Sequence, residues 1–294
     1  MQQTISLSLP TRISNDTRSK EAALREILRG FERVVIAYSG GVDSTYLLKI
    51  AHDEIGARAQ GIIGISPSLM PEERDEALHL AAQFGLPLQQ VETHEMEDPN
   101  YAANPTNRCY FCKSELFDVL NQLSKLEGYD AVCDGTNIDD MQEWRPGAQA
   151  GSERNIRSPL REVGLTKNEI RALSRELGLP TWDKPAMPCL SSRIPYGTPV
   201  TSEALHLIGR AEAYLRSLGL QQLRVRHYVE NEQPTARLEI EPGEMPLVFE
   251  NYQTVAQTLR EIGYTKVLLD LEGYRRGKMN DVLADATQKN DLQN

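Results

Sequence analysis

Residues 33–51 read RVVIAYSGGVDSTYLLKIA. The apolar run over residues 34–38 is short and β-branched, which predicts a buried strand. Leu47, Leu48 and Ala51 follow at helical spacing, so residues 45–51 read as the opening of a helix. Between the two lies Ser39-Gly40-Gly41-Val42-Asp43-Ser44. A glycine-rich turn from a buried strand into a helix is a place to hold phosphate. Glycine lets the backbone come close, successive N–H groups form a concave donor surface, and the helix N-terminus adds partial positive charge. Ser39 and Ser44 add hydroxyl donors, and Asp43 can hold Mg²⁺ against the phosphates. No Gly-Lys-Ser/Thr follows, so this is not a Walker loop, and the third glycine of the dinucleotide fingerprint is missing.

Outward from this stretch, residues 21–29 predict a short helix leading into the strand, and residues 1–20 are polar and expected to be loosely ordered. Residues 60–66, QGIIGIS, predict a second strand ending at Ser66, beside the phosphate turn, where a nucleotide base and ribose would lie. Residues 71–84 predict a helix, with Pro71 suited to its first turn, and residues 88–93 a third strand. The alternation predicts an α/β fold with a doubly wound parallel sheet. Residues 107–113, NRCYFCK, run into a helix expected over 114–126, and residues 129–133 predict a strand. Gly135 and Thr136, just beyond it, point to the nucleotide side, though an Asx turn accounts for the same residues equally well. Residues 156–159 approach another strand. Thr166-Lys167-Asn168-Glu169 has capping-box form and opens a helix, a structural motif. Residues 181–199 are too rich in proline for a helix and read as an ordered loop over the site. Beyond it a helix over 202–218, strands over 222–228 and 235–241, a helix over 247–262 and a strand over 266–271 predict a smaller C-terminal α+β domain. The domain plan is a flexible 1–20, a nucleotide domain over 21–199, a substrate or oligomerisation domain over 200–285, and a tail.

The chain has 294 residues and a formal net charge of −10, which disfavours broad nucleic-acid binding. No apolar run reaches the length of a membrane span and the polar N-terminus carries no signal core, so a cytoplasmic protein without membrane contact is expected. Four cysteines in that compartment argue for metal, redox or catalytic use before disulfides. Cys109 and Cys112 form a CxxC, Cys189 lies in the proline-rich loop, and Cys133 reads as a small core residue. A CxxC alone suits a redox pair, half a zinc site or part of an iron–sulfur site. Three thiolates on a cubane cluster leave one iron open for an extra sulfide; three unrelated thiols is the alternative. In residues 223–227, LRVRH, Arg224 and Arg226 share one strand face. That face makes either a clamp for a phosphate monoester or a solvated row of cross-strand ion pairs.

SGGVDS is similar to the loop of the N-type ATP pyrophosphatases, which split ATP to AMP and pyrophosphate. Together with RCYFCK, DGTNIDD, the stretch SPLREVGLTKNEIRALSRELGLPTWDKPAMPCLSSRIPYG and LRVRH, it resembles the LarE family over about residues 20–275. These are ATP-dependent sulfurtransferases acting on pyridinium-3,5-biscarboxylic acid mononucleotide. The resemblance implies an adenine nucleotide alpha hydrolase-like fold of the PP-loop kind and a role in making the nickel-pincer nucleotide cofactor of lactate racemase. ATP would adenylate each substrate carboxylate in turn, and sulfur would convert it to a thiocarboxylate. One version of the family gives up the sulfur of a single cysteine at the position of Cys189. The other carries sulfide on a [4Fe-4S] cluster held at the positions of Cys109, Cys112 and Cys189, and this chain, with all three, is expected to be of that kind. Beside this reading, Lys113 would join Mg²⁺ on the ATP phosphates, and Arg193 would assist Arg224 and Arg226 on the substrate phosphate. A homo-oligomer is implied, with a sulfide donor or a downstream nickel-inserting protein as partner. The rivals are a cluster-dependent tRNA thiolation enzyme, an ammonia-using synthetase of the NAD or GMP kind, and a non-enzymatic ATP sensor.

Overall fold

The computed structural model describes residues 13–142, 146–185, 187–275 and 277–280. The expected flexible N-terminus therefore lies partly, and the expected tail over 286–294 wholly, outside the described residues. The chain divides into two compact units: Met1–Ser66 with Pro71–His94 and Cys109–Met187, and Pro67–Met70 with Glu95–Arg108 and Pro188–Asn294.

The first unit is built on the run that the sequence marks. β1 (Val34–Ala37) is buried along its whole length. It pairs in parallel with β2 (Ala59–Ile65) on one side and β4 (Ala131–Cys133) on the other, with Ile36 opposite both Gly61 and Cys133. β3 (Leu88–Glu92) adds to β2, also in parallel, giving the order β3-β2-β1-β4. Such strands need helical crossovers on the faces. Val35, Ala37, Ile62 and Val132 pack in one cluster with Phe117 and Leu120 of α5 (Arg108–Glu127) and Ala150 of α6 (Pro146–Glu153). α2 (Val42–Ile55) packs on β1 and β2 and is itself covered by α1 (Asn15–Arg29) and α8 (Lys167–Glu176). α3 (Pro71–Gln83) opens on its proline with Glu72 and Glu73 in the first turn, where carboxylates favour the helix dipole. This is the α/β architecture expected, with the PP-loop arrangement of strands.

Three local expectations give way. α1 begins at Asn15 rather than Glu21, because Ser14 caps it by accepting from the Thr17 N–H at 3.0 Å. α5 begins at Arg108, so the CxxC lies inside a helix and not ahead of it. Residues 156–159 form no strand. Arg157 makes one isolated parallel bridge to Cys133, and Pro159 then opens the short helix α7 (Pro159–Glu162).

The second unit carries a three-stranded sheet in the order β5-β6-β7. β5 (Leu223–Glu230) and β6 (Gln233–Ile240) are an antiparallel hairpin whose turn residues Asn231 and Glu232 both take positive φ, 51° and 63°, as a primed turn requires. β7 (Lys266–Leu269) runs parallel to β6. α9 (Ser202–Ser217) and α11 (Tyr252–Ile262) cover it, with Leu215, Leu223, Val225, Leu238, Ile240 and Leu259 in the core. The single helix expected over 247–262 is broken at Asn251, whose amide donates to the Leu247 carbonyl at 2.8 Å; α10 (Met245–Glu250) precedes the break. Before the proline-rich loop, the unit also includes the four-residue helix α4 (Pro99–Ala102).

Candidate active site

From β1 the chain moves to β2 and β3 on one side and later returns to β4 on the other, so the strand order reverses at β1. Open parallel sheets bind ligands at the carboxyl ends of the strands at such a reversal. The loops leaving β1 and β4 there carry residues 38–41 and 134–137.

Gly40 takes φ +68°, a conformation that favours glycine, and a Cβ on it would lie 2.6 Å from Cβ of Ala77 in α3. Gly41 is the N-cap of α2 and offers no side-chain capping bond, and its N–H donates to Ser39 Oγ at 3.4 Å. The Ser39 and Ser44 hydroxyls meet at 3.1 Å, and the Ser39 N–H donates to Ser44 Oγ at 3.1 Å, so the loop is internally braced. Gly135 closes on it from the β4 side: a Cβ there would meet the Ser44 nitrogen at 2.8 Å. Asp134 holds this second loop. Its carboxylate accepts from the Thr136 N–H at 3.1 Å, the Thr136 hydroxyl at 2.7 Å and the Ser158 hydroxyl at 2.8 Å, which is an Asx turn.

Asp43 sits on the first turn of α2. Its Oδ2 pairs with the Lys167 ammonium, and its Oδ1 is buried with no hydrogen-bond partner among the described residues. Burial pushes the Asp43 carboxyl above its ordinary range, and Lys167 only partly offsets this. A buried carboxylate oxygen left bare is costly unless a further cation completes it, so the loop fits a Mg²⁺–phosphate group by its own donor set. Lys184 donates to the Gly40 carbonyl at 3.3 Å and pairs with Glu76 of α3 at 3.0 Å. Ser66 stands half-buried one residue past β2. Lys113 lies along α5 with its ammonium over the Phe117 ring at 5.4 Å.

The second unit holds the remaining marked residues. Cys189, half-buried, precedes the helical turn Leu190–Arg193. Arg193 is fully buried; its Nε and Nη2 donate to Glu212 at 2.9 and 2.8 Å, and its Nη1 donates to the Pro188 carbonyl and, at 3.0 Å, to that of Cys189. Arg226 is clamped by buried Glu239, Nε to Oε2 at 2.8 Å, and donates to the Ser192 carbonyl at 2.8 Å. Neither arginine is on a solvated face. Arg224, 5% exposed, differs: among the described residues it donates only to the Leu223 carbonyl, at 2.6 Å, and lies over the Tyr274 ring. Burial, then the nearby Arg193 charge, lowers its pKa from the usual arginine value.

No family model matches the chain. A pyridinium-3,5-bisthiocarboxylic acid mononucleotide synthase of Lactiplantibacillus plantarum is 37% identical over 271 residues, covering 91% of this chain and 96% of that protein. The chain belongs to the LarE family. An uncharacterized protein of Synechocystis sp. is 50% identical over 267 residues, 90% of this chain and 98% of its own. A glutamine-hydrolyzing GMP synthase of Aeropyrum pernix is 30% identical over 223 residues, but only 41% of that protein is covered. Membership of the LarE family makes the chain an enzyme, with a synthase among its relatives.

In this LarE-family chain the cysteines are divided. Cys109, exposed, and Cys112, half-buried, stand in the N-terminal part of α5 three positions apart, and so on one helix face, in the first unit. Cys189 belongs to the second. Within either unit, among the described residues, no group of three or more His, Cys, Asp or Glu side chains is gathered to hold a metal ion. Cys133 is fully buried and burial pushes its thiol pKa up, as the core reading expects. Among the described residues no helix is long and apolar enough to cross a membrane.

Proposed function

We propose that this chain is an ATP-dependent sulfurtransferase that converts the carboxylates of pyridinium-3,5-biscarboxylic acid mononucleotide to thiocarboxylates for nickel-pincer nucleotide synthesis. The observation that carries the reading is the bare, buried Oδ1 of Asp43 at the mouth of a phosphate-shaped loop, in a chain of LarE kinship. Ser39, Gly40, Gly41 and Ser44 would cradle the ATP phosphates, Asp43 would hold Mg²⁺, and Lys113 would supply a further positive charge. Ser66, Gly135 and Thr136 line the adenosine side. A substrate carboxylate oxygen bonds to the α-phosphorus as the bond to pyrophosphate breaks, and pyrophosphate leaves with the electron pair. The carbonyl carbon of the acyl adenylate then accepts sulfur and expels AMP. Adenylation is needed because a carboxylate is a poor electrophile and AMP a good leaving group. A second round acts on the other carboxylate.

Arg224 grips the substrate phosphate, since its guanidinium has donors to spare while Arg226 and Arg193 are largely engaged by Glu239 and Glu212. Those two complete the positive field. Arg224→Ala is expected to raise the substrate KM by about 10- to 100-fold, the worth of a charge-assisted phosphate contact, with ATP affinity unchanged. An unchanged KM in steady-state kinetics removes the clamp assignment.

Cys109, Cys112 and Cys189 would hold a [4Fe-4S] cluster, which would supply the sulfide for transfer. Three accessible thiols, none in a disulfide, are the soft donor set such a cluster takes. Bound there, the cluster would leave one iron free for the transferable sulfide. The second reading is the other version of the family, in which Cys189 itself gives up its sulfur. The test is direct: the chain with ATP, Mg²⁺ and the biscarboxylate should release pyrophosphate only when substrate is present, and mass spectrometry should show oxygen replaced by sulfur. Pyrophosphate release driven by ammonia or by tRNA in place of that substrate overturns the reading.

The loops around the nucleotide give a further expectation. Gly135→Ala must push the Ser44 backbone away, because the atom it meets is main chain and cannot rotate aside. A shift near 1 Å in a positioning loop costs on the order of 100-fold. Substrate-dependent pyrophosphate release should fall by that factor with far-UV circular dichroism unchanged; wild-type release would refute the close approach.

A further inference from the structure

The Thr166–Glu169 capping box does more than start a helix. Thr166 Oγ1 accepts from the Glu169 N–H at 3.2 Å, and Glu169 Oε2 accepts from the Thr166 N–H at 2.8 Å. α1 braces the box, with the Thr17 hydroxyl and the Lys20 ammonium each 2.9 Å from Glu169 Oε1. The next N–H, that of Lys167, donates to Asp139 Oδ2 at 2.8 Å. The Lys167 backbone is thus fixed at the first position of α8, while its flexible four-carbon stem carries the ammonium to Asp43 Oδ2. Asp43 thereby holds one cation on one oxygen and keeps the other buried, with no hydrogen-bond partner among the described residues. Asp140 adds a second negative charge bearing on Asp43, and its own Oδ2 accepts from the Asn137 N–H at 3.0 Å.

The geometry points to Lys167 as a phosphate-binding residue stored on Asp43. A divalent cation arriving with nucleotide takes Asp43, and the ammonium swings onto the phosphate oxygens. This rests on the nucleotide reading of the loop given above. Two cations on one carboxylate repel each other, so metal binding at Asp43 weakens the Lys167 contact and frees it. The phosphates carry the negative charge that receives it. No covalent bond changes in the exchange. Residue 167 was marked in the sequence only as part of a helix cap.

The test uses the full chain as wild type, Lys167→Met and Lys167→Arg. Mn²⁺ binding to the nucleotide-free protein is read by electron paramagnetic resonance, and Mg²⁺ with α,β-methylene-ATP, which the enzyme cannot split, by calorimetry. Lys167→Met should bind Mn²⁺ about fivefold more tightly, since a half-exposed ion pair no longer competes. It should bind the Mg²⁺–nucleotide on the order of 10- to 100-fold more weakly. Lys167→Arg, which keeps the charge, should retain tight nucleotide binding. A role confined to capping or packing would weaken both ligands together or neither, and either result overturns the assignment. If the wild-type chain binds no Mg²⁺–nucleotide, the phosphate-loop reading itself fails and this inference falls with it.

Discussion

Cys189→Ala is expected to abolish thiocarboxylate formation, by on the order of a thousandfold or more, while substrate-dependent release of pyrophosphate continues. The substitution removes one thiol from a loop that is otherwise held rigidly. The Leu190 N–H donates to the Ser68 carbonyl at 2.9 Å, and the buried Ser191 hydroxyl meets Tyr101 Oη at 2.7 Å. Arg108 Nη1 donates to the Ser191 carbonyl at 2.9 Å, and Asn104 Nδ2 reaches the carbonyls of Pro195 and Thr198, each at 2.8 Å. Such support suits a residue whose sulfur must be presented in one place. On the proposed reading adenylation draws on residues 39–44, which belong to the other unit, so it should survive.

The same experiment with Cys109→Ala and Cys112→Ala separates the sulfur sources. On the cluster reading each variant loses the product together with about four irons per chain from the anaerobically purified protein. With Cys189 as donor, the two CxxC variants still make one thiocarboxylate per chain, and wild-type Cys189 emerges from turnover lighter by the mass of hydrogen sulfide. Full activity in Cys189→Ala would end both versions.

The glycine-rich turn and the parallel sheet were legible because their signals are local: a four-residue buried run, two glycines and a helix start lie within one short stretch. What escaped depends on partners far away in sequence. Lys167 reaches Asp43 across 124 positions, and no local pattern announces that meeting. Arg224 and Arg226 alternate as a solvated strand would, yet both are buried: Glu239 on the paired strand brings a carboxylate inside for Arg226, and Arg224 lies over the Tyr274 ring. The early start of α1 was hidden for a related reason. Residues 15–20, NDTRSK, show no apolar stripe, and the turn is held by charge pairs such as Lys20 with Glu169, 149 positions away. The CxxC was set ahead of α5 because the apolar helical pattern begins only beyond it, although the helix itself starts at Arg108.

Glu212→Ala should lower the stability of the second unit by about 3–5 kcal/mol, the cost of stranding a buried charge by removing its partner. Glu212 is fully buried and takes Arg193 on both oxygens, Arg216 at 3.2 Å and the Val225 N–H of β5 at 3.0 Å. Without it the Arg193 guanidinium, also fully buried, keeps its charge and loses both carboxylate bonds. Burial alone would push the Glu212 carboxyl up, but the Arg193 charge and hydrogen bonds outweigh this and hold it below its usual 4.5. The folded state thus binds that proton more weakly than the unfolded chain. Its contribution is complete above about pH 4.5 and is lost as pH falls through the lower folded value. Urea titrations followed by near-ultraviolet circular dichroism at neutral and acid pH should show the Glu212→Ala loss shrinking on acidification; an unchanged midpoint at neutral pH would refute the assignment. Removing both charges as Arg193→Met with Glu212→Leu should recover most of the stability, because a buried pair is often no better than an apolar one. The recovered protein should still fail to transfer sulfur, since the Pro188 and Cys189 carbonyls have lost the Arg193 donor that fixes the loop. If it transfers sulfur at the wild-type rate, Arg193 serves the fold of the unit and not the presentation of Cys189.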